Sequence, residues 1–532
     1  MVAPLQPPKS SEPTGHAGRG WDLLSGRVLS MIPLATPATL WLGWLACVCG
    51  GVVAQDQAQQ DSSEGFAMVA AMEQTIVNAI EKAAPSVVAI ARVPRDGAVN
   101  MAAEFQFNVP TLEQAAVDPT DPNYIPAHFA SGVILSAEGH ILTCYHALDD
   151  PQRNDYYVWW KGRSAKARVE RWGAEVKAGD PWTDLAVLKI EARGLPPIPL
   201  GDASKLKRGR VVISLGNPYA IARDGQPSAA WGIISNRQRS ARPREQEPTE
   251  APQERQALAE FGTLLQTDAR LNLGTSGGAL IDLQGRMVGL TTSLASVAGY
   301  DQAAGYAMPI DAASKKTIES LLDGRLPAFG FLGVEPGDTP SGRGASILSV
   351  VPGLPGSRAG LDAGDVILSV QGVPTDGAQA LFRELSRQPA DTEVELVVAR
   401  FRAGGTTPQR LQVRLGKKQL SLSKPGYSQI PEPTWRGMQV DWSTALPPQQ
   451  LIFGRRAMTA SVAVLRVDPD TQAWRAGLRP GQGVLSVDGQ PIARPDRFYQ
   501  QVESIAGDVD LEIVDNNGRR QLVTVSAVPV EN

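Results

Sequence analysis

Cysteine is scarce in this sequence, which narrows the chemistry that the chain can perform. Only three of the 532 residues are cysteines, and Cys47 and Cys49 lie in an apolar leader segment. Removal of that leader leaves Cys144 alone, so no intramolecular disulfide is expected. The sequence contains no cluster of cysteine and histidine residues of the kind that would predict a metal site. Cys144 precedes His146 by two residues, so a cysteine nucleophile has to be weighed against a small buried strand residue.

An excess of positive charge is also missing. The formal net charge is -4, and no lysine- or arginine-rich run interrupts the even mixture of charges. Proteins that track a phosphate backbone usually carry a basic surface, so nucleic acid is not an expected partner. No nucleotide-binding motif occurs, and the sequence predicts no cofactor.

A single long apolar run interrupts this polar chain. Residues 28–54 contain no charged side chain, and Lys9, Arg19 and Arg27 precede them. This asymmetry of charge is typical of an export signal, and Val52 and Ala54 favour cleavage after residue 54. Retention of the run as a membrane anchor is the alternative. Both interpretations export the rest of the chain, to the periplasm or cell envelope.

Glycine and proline are abundant, with 52 and 41 residues, which indicates many short strands and turns. The length suggests roughly three domains. The apolar patterns predict helices over 66–83 and near 311–323 and 377–388. Strands are predicted at 86–93, on both sides of a hairpin turn at 138–139, and at 184–191, 210–215, 229–235, 262–267, 278–283 and 286–292. Residues 94–127 and 240–258 are predicted to be surface loops.

The C-terminal 200 or so residues contain an internal repeat. Residues 357–374 and 474–491 align without a gap at a constant offset, and 10 of their 18 positions are identical. Because the spacing is as long as a small domain, two tandem domains are expected rather than a solenoid.

Histidine is almost as scarce as cysteine, which limits the choice of a general base. Of four histidines, His16 lies in the leader, His128 in a predicted irregular loop and His140 in a predicted turn. His146 remains, at the end of a predicted strand. A strand histidine is commonly structural, so this residue needs partners before a catalytic role follows.

Two further segments supply such partners. Ser276 lies in Gly-Thr-Ser-Gly-Gly, where glycines let backbone N–H groups turn toward the oxygen of a tetrahedral intermediate. Asp184 heads an apolar strand, where a buried carboxylate needs a donor such as an imidazole N–H. The chain order His146, Asp184, Ser276 is that of chymotrypsin-type proteases. Together the three residues predict a serine protease.

These motifs resemble the HtrA (Deg) family of serine endoproteases. The resemblance covers residues 66–530 and is most specific in SGVILSAEGHILTCYHAL, TDLAVLKI, SLGNPY, WGIIS, QTDARLNLGTSGGALIDLQGRMVGLTT and GYAMPI. It implies a mainly β fold, with a chymotrypsin-like pair of six-stranded barrels followed by two PDZ domains, each a small β-sandwich with helices. It also implies that the backbone N–H groups of Gly274, Thr275 and Ser276 form the oxyanion hole.

The resemblance gives the expected domain organisation. The predicted segments are an N-terminal region with signal peptide or anchor at 1–54, a linker at 55–65, a trypsin-like protease domain at 66–326, a first PDZ domain at 328–418 and a second at 432–530.

In the PDZ domains, the resemblance points to peptide-binding loops. The first has Gly330, Phe331, Leu332 and Gly333 at the carboxylate-binding position. The second has Arg436, Gly437 and Met438 there, and it departs further from the family pattern.

The expected activity is endopeptidase cleavage of misfolded or unfolded envelope proteins, with the PDZ domains binding substrate or regulatory C-terminal peptides. A homotrimer or larger homo-oligomer is implied, to which Phe66 and the first helix would contribute. Two alternatives are a catalytically silent chaperone or scaffold, and a membrane-anchored regulatory protease with one dedicated partner.

Overall fold

The computed structural model describes residues 65–95, 126, 128–162, 168–217, 226–239, 264–272, 274–292, 305–402, 405–420, 425–447, 460–515 and 517–527. The predictions for the leader and linker at 1–64, for most of the loop 94–127 and for the insertion 240–258 lie outside these residues. Within the described residues, no helix is both long enough and apolar enough to cross a bilayer.

A closed six-stranded barrel follows helix α1, which covers residues 65–83. Its strands and the one-turn helix α2 are β1 (Val87–Pro94), β2 (His128–Ile134), β3 (His140–Cys144), α2 (Tyr145–Leu148), β4 (Asn154–Lys161), β5 (Val169–Asp180) and β6 (Leu185–Ile190). The strand order is β5-β4-β1-β2-β3-β6, and pairing of β5 with β6 closes the barrel. Alternate side chains on the inner face, such as Ile134, Ile141 and Leu188, form its buried core.

A second closed barrel follows directly. Its elements are β7 (Val211–Gly216), β8 (Ser228–Arg239), β9 (Leu264–Thr267), β10 (Ala279–Ile281), β11 (Met287–Thr292) and β12 (Gly305–Pro309), and helix α3 (Ala312–Leu322) follows it. The order is β10-β11-β12-β9-β8-β7, with β7 also paired to β10. Buried side chains of the two barrels, among them Leu142 and Leu215, belong to one apolar cluster. The barrels therefore pack on each other, and loops from both can meet at their junction.

Two units of identical strand order occupy the rest of the chain. The first contains β13 (Gly330–Phe331), β14 (Val334–Asp338), β15 (Ala345–Val350), α4 (Pro355–Arg358), β16 (Val366–Val370), β17 (Val373–Pro374), α5 (Ala378–Ser386), β18 (Glu393–Arg402), β19 (Gly405–Arg414) and β20 (Gly416–Lys417). Its main sheet has the order β14-β15-β16-β18-β19, and β17 pairs with β16.

The second unit repeats this arrangement after the short strand β21 (Tyr427–Ser428). Its elements are β22 (Met438–Trp442), β23 (Val462–Val467), α6 (Gln472–Arg475), β24 (Gly483–Val487), β25 (Gln490–Pro491), α7 (Pro495–Glu503), β26 (Val509–Val514) and β27 (Arg520–Val525). The order β22-β23-β24-β26-β27, with β25 on β24, matches the first unit strand for strand. The repeated sequences occupy the same elements in both, which explains their identity.

The predicted fold class is confirmed: the chain is mainly β, with two closed six-stranded barrels. Strands β4 and β5 are absent from the sequence prediction. His128 and His140, which were predicted in a loop and a turn, instead begin β2 and β3. The exact domain boundaries remain predictions.

Candidate active site

His146 lies in the one-turn helix α2, immediately beyond the end of β3 rather than within the strand. Its Nδ1 lies 2.7 Å from Asp184 Oδ2, and its backbone N–H donates to Asp184 Oδ1 at 2.8 Å. Because a carboxylate can only accept, Nδ1 is the protonated nitrogen, and Nε2 is the nitrogen that can take up a proton.

Asp184 is held in place by its backbone as well as its side chain. It precedes β6 with a φ of 57°, a conformation that non-glycine residues seldom adopt, and its carbonyl accepts the Tyr145 N–H at 3.0 Å. Its side chain is buried, and both carboxylate oxygens bond to His146. Uncommon backbone geometry that the surroundings enforce is typical of functional sites.

Ser276 lies in the turn between β9 and β10, where Gly277 has a φ of 83°. A Cβ on Gly277 would lie 2.1 Å from the Ser131 carbonyl oxygen, so only glycine fits. The Ser276 carbonyl accepts the Ser131 N–H at 2.8 Å. The turn is therefore fixed against β2 of the other barrel.

One carbonyl group joins the two halves of the site. Thr291 O accepts the Gly277 N–H at 2.8 Å and the Cys144 thiol at 3.4 Å. Gly277 follows Ser276, and Cys144 is two residues from His146. The structure therefore brings the serine turn and the histidine-bearing strand end to the same point of the barrel junction.

Ser131, which sequence reasoning missed, positions the predicted oxyanion loop. Its hydroxyl is fully buried, accepts the Asn217 N–H and donates to the Gly274 carbonyl, both at 2.7 Å. The Thr275 N–H, in contrast, donates to Asn272 O at 3.1 Å. The Thr275 N–H is thus already bonded within the loop and does not fit the predicted oxyanion hole, whereas the roles of Gly274 and Ser276 remain predictions.

Cys144 and the neighbouring acid do not form an alternative catalytic or metal site. Thiol, imidazole and carboxylate ligand atoms of Cys144, His146 and Asp184 lie within 4.8 Å of one another. Burial raises the pKa of the Cys144 thiol well above its usual value, so it stays protonated. The Asp184 oxygens are both bonded to His146. This donor set suits neither a thiolate nucleophile nor a metal ligand cluster.

Comparisons with known proteins identify two kinds of domain in this chain. A family model described as a trypsin-like peptidase domain matches residues 130–290, and a PDZ domain model matches 346–400. A probable periplasmic serine endoprotease DegP-like of Halomonas elongata is 30% identical over 395 residues, which cover 71% of this chain and 74% of the relative. The chain belongs to the HtrA (Deg) family of serine endoproteases. It is a serine endopeptidase with a PDZ domain.

A second relative aligns over more of the chain, and a solved structure aligns over less of it. A DegP-like protein of Chlamydia trachomatis is 27% identical over 489 residues, 86% of this chain and 87% of the relative. A solved structure of the HtrA-type protease AlgW with tripeptide is 25% identical and covers 65% of this chain and 98% of that chain, with a TM-score of 0.43.

A second buried carboxylate lies near the pair formed by His146 and Asp184. Asp180 ends β5 and accepts the Thr183 hydroxyl at 2.6 Å and the Thr183 N–H at 2.9 Å. Burial raises the pKa of Asp180 to about 6, and the nearby Asp184 charge adds to the shift. No sequence motif singles out this residue.

The predicted PDZ loops differ between the two units. In the first, Gly330 and Phe331 pair with β20, and Gly333 has a φ of 76° against the Leu354 side chain. Leu332 is buried, and its carbonyl accepts the Gly356 N–H.

In the second unit the predicted loop is bonded to its own domain. The Arg436 guanidinium stacks on Trp435 and donates to the Val525 carbonyl at 2.6 Å and to the Gly507 carbonyl. Gly437 packs against Thr471, and Met438 bonds to Trp435 through both backbone groups. The match to the PDZ family model falls on the first unit.

Proposed function

We propose that this serine endopeptidase hydrolyses peptide bonds of unfolded or misfolded proteins of the cell envelope, with His146, Asp184 and Ser276 as its catalytic triad. The observation that supports the triad most directly is the bonding of both Asp184 oxygens to His146. The contact of the Cys144 thiol and the Gly277 N–H with one carbonyl supports the position of the serine.

In the proposed reaction, Ser276 Oγ attacks the carbonyl carbon of the scissile peptide bond while His146 Nε2 takes its proton. The oxygen of the tetrahedral intermediate is stabilised by the N–H groups of Gly274 and Ser276. His146 then returns the proton to the leaving amine, and water hydrolyses the acyl-enzyme by the same route. Asp184 holds the imidazole in the productive tautomer and stabilises its cationic form.

We further propose that the chain acts after export, with PDZ units that bind substrate or C-terminal regulatory peptides. Relatives named periplasmic endoproteases support the location, and the apolar run at 28–54 would be the signal or anchor. Assembly as a homotrimer or larger homo-oligomer belongs to the same proposal. It is supported by exposed apolar side chains at the start of α1, including Phe66 and Met68, each 76% exposed.

Degradation of unfolded casein by the purified protein, beside the Ser276→Ala variant, tests this function. The parent should cleave casein, and the variant should be slower by on the order of a millionfold, since triad members act as a unit. Equal inactivity of both proteins, with and without C-terminal peptides as activators, would instead favour a chaperone or scaffold.

A further inference from the structure

The edge strands of the two C-terminal units show how each can hold an extended peptide. Strands β14 and β22 each form one edge of their sheet, and helices α5 and α7 pack beside them. A peptide added to such an edge must bond to backbone groups that point away from the sheet.

The register identifies those outward positions. The Gly333 carbonyl accepts the Val351 N–H, and the Gly437 carbonyl accepts the Asp468 N–H, so both glycines face their own sheet. Antiparallel strands alternate, so positions 334 and 336 face outward in the first unit. Positions 438 and 440 do so in the second.

A proline occupies one of the two outward positions in the first unit. In the first unit the register of β14 shifts between Glu335 and Pro336. In the second unit the register of β22 shifts between Gln439 and Val440, so Pro336 is the counterpart of Val440. Proline has no N–H to donate. A peptide on this edge can therefore exchange two bonds with Val334, but it receives no donor at the next outward position.

The second unit uses its outward groups itself. The Val440 N–H donates to the Tyr499 hydroxyl at 2.7 Å, and this hydroxyl lies 3.0 Å from the Val440 carbonyl oxygen. Met438 exchanges two backbone bonds with Trp435, each of 2.8 Å. The Trp442 N–H donates to the Asp441 carboxylate at 2.7 Å. Three successive outward N–H groups are thus bonded within the unit.

The residue at the equivalent position of the helix explains why this hydroxyl bond to the edge strand occurs in the second unit and not in the first. Tyr499 is the fifth residue of α7, and Phe382 is the fifth residue of α5. Phe382 has no hydroxyl, and it packs instead under the Lys418 ammonium, 4.0 Å from its ring, in the apolar cluster of Trp182 and Phe329.

We propose that the first unit alone binds peptides, and that Pro336 limits its backbone hydrogen bonds to the last residues of the bound peptide. This inference rests on the peptide-binding part of the proposed function, narrows that binding to the first unit and adds its specificity. The side chain and carboxylate at the very end of the peptide then dominate recognition, while residues upstream of the Pro336 position contribute little. Such a unit accepts many unrelated chain ends.

Peptide binding to the full chain carrying Ser276→Ala, which prevents cleavage, tests the proposal. The probes are fluorescein-labelled heptapeptide pools with random upstream residues and the last residue fixed in turn as Val, Leu, Ile or Phe. Each pool is prepared as free acid and as amide, and affinity and stoichiometry are measured by anisotropy. Pro336→Ala and Pro336→Val both restore the N–H but differ in side chain, and Pro340→Ala, outside β14, is the control.

One free-acid peptide should bind per chain, and both Pro336 variants should tighten binding by about two- to tenfold, the effect of one added hydrogen bond. Pro340→Ala should change nothing. Val334→Pro removes the one outward N–H that remains in β14 and breaks no hydrogen bond between β14 and β15, so it should abolish binding. Val440→Pro should leave binding unchanged. Melting temperatures of Val334→Pro and Val440→Pro report whether these two variants fold.

Three results would overturn the proposal: two peptides per chain, binding that survives Val334→Pro in a folded protein, or unchanged affinity in both Pro336 variants. Binding of no pool to any variant would overturn it by a different route, because the PDZ part of the proposed function would then fail while casein cleavage by the parent persists.

Discussion

At the scale of single residues, both oxygens of the Asp184 carboxylate form hydrogen bonds with His146. An amide at this position would present an NH₂ group to one of the two donors on His146, which favours the wrong imidazole tautomer. Asp184→Asn should therefore lower kcat on the order of 10⁴-fold while leaving the fold intact. Asp180→Asn is the matched control, because Asp180 bonds to Thr183 instead, and it should keep most of the activity. Equal losses in the two variants would contradict the assignment.

Asp180 should make stability depend on pH. Its folded-state pKa of about 6 lies above the ordinary value of 3.8, so between these values the unfolded chain binds fewer protons than the folded chain. The free energy of unfolding should therefore fall as pH rises through this window, by no more than about 3 kcal/mol. Urea unfolding of the Ser276→Ala protein at pH 4 to 7 measures this fall, and adding Asp180→Asn should reduce it. An unchanged slope would show that Asp180 titrates normally.

Residues whose function follows from a local sequence motif could be predicted from the sequence. Residues whose role depends on contacts with distant parts of the chain could not. Ser276 is recognisable because its glycines flank it. Ser131 is not, because its hydroxyl bonds to Gly274 across 143 positions of the chain. Thr275 looked equivalent to its neighbours, but the bond from its amide to Asn272 appears only once the loop is folded.

At the scale of elements, the oxyanion loop depends on the backbone of Gly274. This residue has a φ of 90°, and a Cβ there would lie 2.4 Å from the Phe129 ring and 2.6 Å from the Asn217 carbonyl oxygen. Gly274→Ala should displace the loop and lower kcat by about 10²–10³-fold, the usual effect of losing one oxyanion donor. Gly194→Ala is the control, because Gly194 has a φ of 71° in open space and should cost only about 1 kcal/mol of stability. Similar kcat values for the two variants would contradict this role.

Strands with strong apolar patterns were predictable, and those without were not. The prediction for 184–191 agrees closely with β6, whose residues are almost all buried. β5 carries charged residues and a glycine on its exposed positions, so its pattern is weak, although pairing with β4 and β6 stabilises it. The two-residue strand β21 pairs with Gly179 and Ala178 of β5, a contact between distant segments that no local signal can indicate.

At the scale of the whole molecule, the described contacts tie the first PDZ unit to the protease. Trp182, two residues before Asp184, packs against Phe329, which directly precedes the predicted carboxylate-binding loop. Arg387, at the end of α5, forms an ion pair with Asp311, the N-cap of α3. The Tyr145 hydroxyl donates to the Pro425 carbonyl at 2.7 Å, beside β21. Elements next to His146 and Asp184 therefore contact the C-terminal half of the chain.

Exposed apolar side chains at the start of α1 make the oligomer proposal testable. Phe66, Met68 and Val69 are 76%, 76% and 66% exposed, a clustering that is unusual on a monomer surface. The double variant Phe66→Ser and Met68→Ser should reduce the mass measured by light scattering from that of a trimer to that of a monomer. Val77→Ser, later in the same helix, should not. A trimer that persists in the double variant would exclude this surface as the contact.

The most direct test of the central claim is labelling of the intact protein with a fluorophosphonate, followed by mass spectrometry. An HtrA-type triad predicts one adduct per chain on Ser276, and its rate of formation should fall sharply in His146→Ala and Asp184→Asn, because both variants leave the hydroxyl without a competent base. An adduct on another residue, or no adduct on a protein that still degrades casein, would contradict the assignment of Ser276 as the nucleophile.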